Sequence, residues 1–326
     1  MIDLINFQNI PSNPIIFKAL LTMHHKINNP CYKNISVSIS GGADSDIMLN
    51  MVMQTVDKSN LDKLKFIFFD TGVEYQATKK HLEQLEVKYG ITLIKLKPKK
   101  SIGVIKKEFG SPFLSKFASK NISILQKKGF NFATDKSYEE LILIYPRAKT
   151  VLGWWFNKNS INQLNINYNK GLKEFLQTNP PDFKISSKCC DFLKKDIGKE
   201  FDKLNQTDLN IIGIRRAEGG IRTFSYNSCF SKNKITGLDT YRPLFFFSDK
   251  DKLEYKEFYN IEYSECYTSY GMKRTGCCGC PFNKNFIKDL EQLKFYEPKM
   301  YTLSQALYFQ SYEYTKRYLD FKKNLK

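Results

Sequence analysis

The sequence has no apolar run long enough to cross a membrane, and its first residues do not form the pattern of a secretory signal peptide. It also lacks the cysteine pattern of a secreted disulfide framework, because three of its eight cysteines crowd together at positions 277, 278 and 280. Cysteines arranged in this way are typical of metal ligands in a reducing compartment. We therefore expect a cytoplasmic protein without a membrane partner.

Arginine is also scarce, with seven residues in a chain that is rich in lysine. Five of the seven lie within one stretch of 60 residues. The planar guanidinium fork binds phosphate or sulfate bidentately, which the lysine ammonium does not. We interpret the cluster as a candidate anion site, with chance clustering as the alternative. Its members are Arg215, Arg216, Arg222, Arg242 and Arg274.

The chain is strongly basic, with a formal net charge of +18. Such a charge favours polyanionic partners, either nucleic acid or highly phosphorylated small molecules. The alternative is a compositional bias toward lysine, because the lysines are spread along the chain without one dominant block. Nucleic acid, such as tRNA or DNA, is therefore one candidate partner.

The first hundred residues alternate between strand-like and helix-like segments. Parallel strands joined by helical crossovers form a doubly wound sheet, whose ligands bind beyond the carboxyl ends of the strands. We therefore predict an α/β fold with a Rossmann-like, doubly wound parallel sheet. The predicted strands are 35–39, 66–69, 91–96 and 209–214, and the predicted helices between them are 45–57 and 75–89.

The region from 98 to 187 loses this alternation, and we interpret it as a mostly helical insertion or lid. Its tandem tryptophans, Trp154 and Trp155, are more typical of core packing than of a base-stacking platform. The aromatic, lysine-rich segment beyond residue 284 predicts helices that close the core. The predicted domains are 1–97 with 188–283 for nucleotide binding, 98–187 for the insertion, and 284–326 for a tail packed on the core.

The segment Ser40-Gly41-Gly42-Ala43-Asp44-Ser45 lies between the first predicted strand and its helix. Its glycines let backbone N–H groups approach an anion closely, and the helix N-terminus adds partial positive charge. It lacks the Lys-Ser/Thr ending of a Walker loop and the G-x-G-x-x-G spacing of a dinucleotide site. It predicts a phosphate site, and the alternative is a turn that Asp44 caps without any ligand.

Two further segments follow predicted strands and can contribute to the same site. In Asp70-Thr71-Gly72-Val73-Glu74, a carboxylate at a strand end can hold Mg²⁺ or a ribose hydroxyl, although Asp-Thr-Gly is also an ordinary turn. The segment 213–222 has three arginines around paired glycines, which indicates an anion clamp or else a solvated basic loop. The candidate nucleotide-binding residues are Ser40, Gly41, Gly42, Asp44, Ser45, Asp70, Thr71, Gly72, Glu74 and Gly213.

Four of the cysteines indicate a metal centre. Cys189 and Cys190 are adjacent, and Cys277 and Cys280 form a C-x-x-C motif much later in the chain. Thiolates from two distant loops suit a [4Fe–4S] cluster, whereas zinc in a four-cysteine site is the main rival and free thiols are a third possibility. We favour the cluster, because adjacent cysteines fit separate irons more easily than one tetrahedral ion.

The other cysteines have different expected roles. Cys229 can replace one of the adjacent pair as a ligand, or act as a separate reactive thiol. Cys31, Cys266 and Cys278 are expected to pack as small apolar residues.

The order of these motifs resembles that of a known family. S-G-G-x-D-S resembles the PP-loop of the adenine-nucleotide α-hydrolase superfamily, which holds the pyrophosphate of ATP in the ATP-using branch. With D-T-G-x-E, C-C, G-x-R-R-(x)₅-R and R-T-G-C-x-x-C-P in that order, the chain is similar to the phosphoadenylyl-sulfate reductase family over about residues 35–283. The resemblance implies that Arg215, Arg216 and Arg222 face the anionic end of a nucleotide. It also implies that the cluster ligands are Cys189, Cys190, Cys277 and Cys280.

Two features depart from those reductases. They have a nucleophilic cysteine near the C-terminus and usually a degenerate loop, whereas this sequence has no cysteine after Cys280 and a complete S-G-G-x-D-S. The sequence therefore predicts an ATP-using enzyme with Mg²⁺ and an iron–sulfur cluster, which adenylylates an acceptor, releases pyrophosphate and allows substitution by sulfur. In this hypothesis the catalytic residues are Asp44, Arg215, Arg216 and Arg222.

Two alternatives stay open. One is a reductase that makes sulfite from adenylyl sulfate or its 3′-phosphorylated form, with Cys229 or a partner protein supplying the missing thiol. The other is a nucleotide-binding regulatory or defence component with a structural metal and no turnover.

Overall fold

A mostly parallel sheet organises the first part of the chain in the computed structural model, which describes residues 10–219 and 226–325. Within these ranges the sheet has six strands in the order β3-β2-β1-β4-β6-β5, and only β5 runs antiparallel to its neighbour. The predicted α/β fold with a doubly wound sheet is confirmed. The strands are Ile35–Ile39 (β1), Leu64–Phe69 (β2), Leu93–Leu96 (β3), Leu209–Ile212 (β4), Phe230–Ser231 (β5) and Asp239–Tyr241 (β6).

The helices of the described ranges follow the predicted alternation in the first hundred residues and dominate after it. Short 3₁₀ turns occur at Lys58–Lys63, Pro146–Ala148, Asn162–Leu164, Ile166–Tyr168 and Arg216–Glu218, and a π-helical turn at Asp191–Lys195. The α-helices are Pro14–Ile27 (α1), Ala43–Thr55 (α2), Gln76–Tyr89 (α3), Ile102–Phe109 (α4), Lys116–Lys127 (α5), Tyr138–Ile144 (α6), Lys149–Trp155 (α7), Leu172–Thr178 (α8), Lys188–Cys190 (α9), Asp196–Leu204 (α10), Asp249–Phe258 (α11), Glu265–Thr268 (α12), Phe286–Tyr296 (α13) and Pro298–Lys323 (α14).

The chain packs as two units. The first contains the described residues up to Pro98 and those from Lys194 to Cys277, and the second contains Lys99–Leu193 and the described residues from Cys278 onward. The domain boundaries predicted from the sequence stay a prediction, because compact packing alone does not define a domain. No helix of the described ranges combines the length and the apolarity that crossing a bilayer requires.

Strand β1 lies at the centre of the first unit. It pairs in parallel with β2 on one side and β4 on the other, so that Val37 lies opposite both Phe66 and Ile211. These side chains are buried, because a parallel sheet is covered by helices on both faces. Helix α1 packs against α2 over this core. The arrangement places the segments that follow β1, β2 and β4 at one edge of the sheet.

The second unit is helical and has an aromatic core. Trp154 and Trp155 are each 1% exposed, as core packing predicts. The ring of Phe113 packs against those of Tyr314 and Tyr318, which lie on α14. Helix α14 therefore belongs to the core that the helices after Lys99 build.

Gly110 joins two segments of the second unit. Its φ is +107°, and the next residue, Ser111, donates its N–H to the Lys184 carbonyl at 2.7 Å. A Cβ added at Gly110 would lie 2.3 Å from that same carbonyl oxygen. Any side chain must therefore break this backbone pairing as well as strain the φ angle.

We expect Gly110→Ala to lower the free energy of unfolding by about 2–4 kcal/mol, since strain and a backbone clash coincide. Gly129→Ala is the matched control, because Gly129 also has a positive φ of +63° but open space around its Cβ position. That variant should lose only about 1–2 kcal/mol. Urea unfolding measures both, and equal losses would contradict the steric account.

Candidate functional site

The turn between β1 and α2 has the geometry of an anion-binding loop. Strand β1 ends at Ile39 and α2 begins at Ala43, so three residues make the whole connection. Gly41 has a φ of +64°, and a Cβ there would lie 2.9 Å from the Thr78 Cγ2 atom. Glycine is needed at this position for both reasons. The Ser40 N–H donates to the Ser45 hydroxyl at 2.9 Å, which closes the turn.

The N-terminus of α2 offers donors at this turn. The first N–H groups of a helix have no acceptor within the helix and carry partial positive charge. The Ala43 N–H donates to the Tyr267 hydroxyl at 3.1 Å. The N–H groups of Asp44 and Ser45 have no acceptor in the part of the chain that the structure describes. An anion at the turn would satisfy them.

Asp44 lies between two cations. Its Oδ2 accepts from the Arg215 Nε at 2.9 Å, and its Oδ1 lies 2.6 Å from the Lys252 Nζ. Arg215 also donates to the Asp249 carboxylate at 2.8 Å and is buried. Burial lowers the pKa of Arg215, but the two carboxylates outweigh it and raise the pKa above the ordinary value. Arg215 therefore carries a fixed positive charge that already has two carboxylate partners.

The other arginines of the cluster are arranged differently. Arg216 has an exposed side chain, and Arg274 lies 3.5 Å from the Glu218 carboxylate. Arg242 is buried, with its guanidinium 4.0 Å from the centre of the Tyr226 ring. Arg222 lies outside the described residues. Gly213 brings the end of β4 against α2, because a Cβ there would lie 3.2 Å from the Asp44 carbonyl oxygen.

The D-T-G-x-E segment forms a tight turn after β2. The Gly72 N–H donates to the Asp70 carboxylate at 3.3 Å, and the φ of Gly72 is +81°. Both the N–H and the hydroxyl of Thr71 donate to Oε1 of Glu74. Glu74 is only 4% exposed, and its Oε2 has no hydrogen-bond partner among the described residues. A buried carboxylate with an unsatisfied oxygen is costly, so this turn is a candidate for ligand or ion contact.

Cys277 lies in the same unit as both turns. It forms an antiparallel bridge with Glu74, and its Sγ lies 3.9 Å from the Thr71 hydroxyl. Because that hydroxyl donates to Glu74, its oxygen is an acceptor for the Cys277 thiol. The thiol of the C-x-x-C motif is therefore adjacent to the D-T-G-x-E turn.

The four predicted cluster ligands are divided between the units. Cys277 belongs to the first unit, and Cys189, Cys190 and Cys280 belong to the second. Four thiols are the donor set that iron–sulfur clusters and zinc prefer. However, the described residues contain no group of three or more His, Cys, Asp or Glu side chains arranged to hold a metal ion. The ligand set stays a prediction.

The other four cysteines differ in how deeply they are buried. Cys266 and Cys278 are completely buried, as expected of small apolar residues. Cys31 is exposed, so the prediction that it packs in the core was wrong. It follows an asparagine turn at Asn29, whose side chain accepts from the Cys31 N–H at 2.8 Å. Cys229 is half-buried and packs against the core of the first unit.

Several residues that shape this region carried no sequence signal. Tyr267 and Lys252 contact the loop from positions more than two hundred residues later, and the chain has many tyrosines and lysines. The buried pair of His81 and Asp46, at 2.9 Å, links α3 to the first turn of α2. Burial lowers the pKa of His81, but the Asp46 carboxylate outweighs it and raises that pKa above the ordinary value.

Residues 34–127 match the family model of the phosphoadenosine phosphosulfate reductase domain. The match covers less than a third of the chain. The match includes the loop and the D-T-G-x-E turn, but neither the later arginines nor the cysteines.

Three other proteins resemble the chain either over a short segment or at low sequence identity. An uncharacterized protein of Methanocaldococcus jannaschii is 33% identical over 89 residues, which is 27% of this chain and 17% of that protein's length. The phosphoadenylyl-sulfate reductase of Candida auris has 13% identity and a TM-score of 0.43 over 82% of this chain and 97% of that one. The U34-tRNA thiolase NcsA of Methanococcus maripaludis has 12% identity and a TM-score of 0.38 over 96% of this chain and 81% of that one. Likenesses of this degree carry no argument about function.

Asp289, in the second unit, makes the stability of the fold depend on pH. It is 5% exposed, its carboxylate accepts from the Asn283 amide, and burial raises its pKa to about 6. The folded state therefore binds this proton more tightly than the unfolded chain, whose aspartates titrate near about pH 4. The contribution of Asp289 to stability is thus complete below about pH 4 and is lost as the pH rises through about 6.

We expect Asp289→Asn to remove a decline in stability of about 1–3 kcal/mol between about pH 4 and pH 7. Urea unfolding of both proteins across that range measures the difference. Asp208→Asn is a control, because it changes an aspartate in the first unit that accepts bonds from backbone N–H groups. Parallel pH profiles for the wild type and Asp289→Asn would contradict the assignment.

Proposed function

We propose that this protein transfers the adenylyl group of ATP to an acceptor, with release of pyrophosphate. The observation that carries the proposal is the turn after β1, where Gly41 takes a left-handed conformation and α2 presents unsatisfied N–H groups. The similarity of residues 34–127 to the phosphoadenosine phosphosulfate reductase domain supports an adenine nucleotide as the ligand. The complete S-G-G-x-D-S sequence supports ATP, whose pyrophosphate the loop would hold.

The proposed reaction needs charge stabilisation and positioning. An oxygen of the acceptor attacks the α-phosphorus of ATP, the bond to the β-phosphate oxygen breaks, and pyrophosphate leaves with the electron pair. The amides of residues 40–45 would hold the leaving phosphates. Arg216, whose side chain is exposed, and Arg222 would stabilise charge on the α-phosphate. Arg215, already paired with two carboxylates, would fix Asp44 and the start of α2.

Asp70 is a better candidate for a Mg²⁺ ligand than Asp44. Asp44 is already neutralised by Arg215 and Lys252, so a further cation there would have to displace them. Asp70 follows β2 at the same edge of the sheet, and in the described ranges its carboxylate accepts a hydrogen bond only from the Gly72 N–H. A carboxylate oxygen in this position suits a hydrated Mg²⁺ that also contacts phosphate.

We further propose that sulfur replaces the adenylate on the acceptor, and that the acceptor is a nucleic acid. The net charge of +18 supports a polyanionic acceptor. An iron–sulfur cluster, if bound through the predicted cysteines, would supply a site for sulfide. The ligand set of that cluster is itself a prediction, so the proposed adenylyl transfer makes no use of the cluster.

Nucleotide binding is tested first. We expect ATP and pyrophosphate to bind with calorimetric heat, and AMP to bind at least about tenfold more weakly, since the loop would hold the β- and γ-phosphates. Gly41→Ala should weaken ATP binding at least about tenfold, because its Cβ distorts the loop against Thr78. Gly90→Ala is the matched control, with a similar φ of +62° but open space and no contact with the loop.

Absence of heat with ATP, pyrophosphate and both sulfated adenosines would contradict nucleotide binding at this loop. Binding of ATP without any release of AMP or pyrophosphate, across tRNA and DNA acceptors, would instead support a regulatory component. Equal weakening by Gly41→Ala and Gly90→Ala would show that backbone strain, and not the loop, explains the loss.

The metal prediction is separate from nucleotide binding. Anaerobic purification should give a brown protein with about four irons and four sulfides per chain if the cluster is present. Cys277→Ser and Cys280→Ser should each lower the iron content, whereas Cys31→Ser, at an exposed cysteine, should leave it unchanged. A colourless protein with one zinc per chain would contradict the cluster and leave nucleotide binding untouched.

A sulfonucleotide reductase is the second candidate, because the matching family model describes a phosphoadenosine phosphosulfate reductase domain. This reaction needs a thiol to take sulfite from the nucleotide, and Cys229 is the candidate that the sequence offers. It is half-buried, and its carbonyl accepts from the Arg242 N–H at 2.7 Å. Sulfite release from adenylyl sulfate or its 3′-phosphorylated form, lost in Cys229→Ser, would replace the adenylyl-transfer proposal with this one.

A further inference from the structure

The threonine of the R-T-G-C-x-x-C-P motif, to which the sequence analysis gave no role, lies beside the loop. Thr275 is two residues before Cys277, in the same unit as the turn after β1. Its hydroxyl oxygen lies 3.1 Å from the position that a Cβ would take at Gly42. The hydroxyl can approach the loop this closely only because Gly42 has no side chain.

The Tyr267 hydroxyl fixes the orientation of the Thr275 hydroxyl. The Tyr267 oxygen accepts from the Ala43 N–H at 3.1 Å and from the Thr275 N–H at 3.3 Å. A phenolic oxygen has two acceptor sites and one hydrogen to donate. The 3.0 Å contact between the two hydroxyls allows either direction. Because the two N–H groups occupy the acceptor sites of the Tyr267 oxygen, we assign Tyr267 as the donor and the Thr275 oxygen as the acceptor.

The hydrogen of the Thr275 hydroxyl is left without an acceptor in the part of the chain that the structure covers. The Thr275 oxygen accepts from Tyr267, so the hydrogen of the Thr275 hydroxyl is available to another group. The described residues show no hydrogen bond in which it is donated to a group other than Tyr267. The donor lies beside Gly42, next to the unsatisfied N–H groups of Asp44 and Ser45. Donors that converge on one place are the pattern of an anion site.

We propose that the Thr275 hydroxyl is a ligand of the phosphate group that the loop binds, and that Tyr267 aligns it. This proposal rests on the proposed function, because it requires an anion at the turn after β1. It adds a contact from the segment that leads to Cys277, which the bridge to Glu74 holds in place. The ligand chemistry is that of a pyrophosphate or the β- and γ-phosphates of a nucleotide.

Calorimetry with inorganic pyrophosphate and with ATP tests the proposal. Thr275→Val removes the hydroxyl at nearly constant shape and should weaken both ligands by about 10- to 100-fold, the loss typical of one hydrogen bond to a charged group. Thr275→Ser retains the hydroxyl and should bind within about threefold of the wild type. Thr268→Val, at an exposed threonine of the same segment, is the matched control and should bind as the wild type does.

Tyr267→Phe tests the alignment. It removes the acceptor of two N–H groups and the donor to Thr275, so pyrophosphate binding should weaken by about tenfold or more while the Thr275 hydroxyl is still present. Thermal unfolding without ligand shows whether each variant is folded. If Thr275→Val does not fold, Thr275→Ala, which also lacks the hydroxyl, takes its place.

The outcomes separate the two proposals. If the wild type binds neither ATP nor pyrophosphate, the proposed function fails and this inference fails with it. If the wild type binds both and folded Thr275→Val binds equally well, only this inference is overturned. If Thr275→Ser is as weak as Thr275→Val, the methyl group and not the hydroxyl matters, and the inference is also overturned.

Discussion

The hydroxyl of Tyr267 joins the two segments on which the candidate site depends. It accepts from the Ala43 N–H at the start of α2 and from the Thr275 N–H in the segment before Cys277. A hydroxyl can accept from two N–H groups and still donate. The Tyr267 oxygen therefore connects the loop and the start of α2 to the segment before Cys277. The loop is thus held on one side by β1 and on the other by this contact, and a preorganised set of donors is what anion binding requires.

Two cations balance the charge of Asp44 beside the loop. A free carboxylate at Asp44 would repel phosphate, but Arg215 and Lys252 neutralise it at 2.9 Å and 2.6 Å. Buried ion pairs contribute little net stability, whereas removal of one partner leaves an unpaired charge and is costly. We infer that this group positions the start of α2 and that the exposed Arg216 is the better candidate for contact with a ligand.

Sequence reasoning predicted the elements whose patterns are local. The predicted strand 35–39 and the predicted helix 75–89 agree with β1 and α3 to within one residue. The strands β5 and β6 were missed, because two or three residues are too few to show periodicity. Tyr267 and Lys252 were missed because their roles arise from contacts across more than two hundred residues, which composition and spacing do not reveal. The arginine cluster includes Arg215, which contacts Asp44 of the loop, but the sequence did not show that Arg215 is already paired with two carboxylates.

Hydrogen–deuterium exchange of the loop amides tests the central claim most directly. The account predicts that ATP and pyrophosphate slow exchange in peptides covering residues 40–46, because the bound phosphates become acceptors for these N–H groups. AMP at the same concentration should have a much smaller effect. Slowed exchange elsewhere in the chain, with the loop unchanged under saturating ATP, would contradict it.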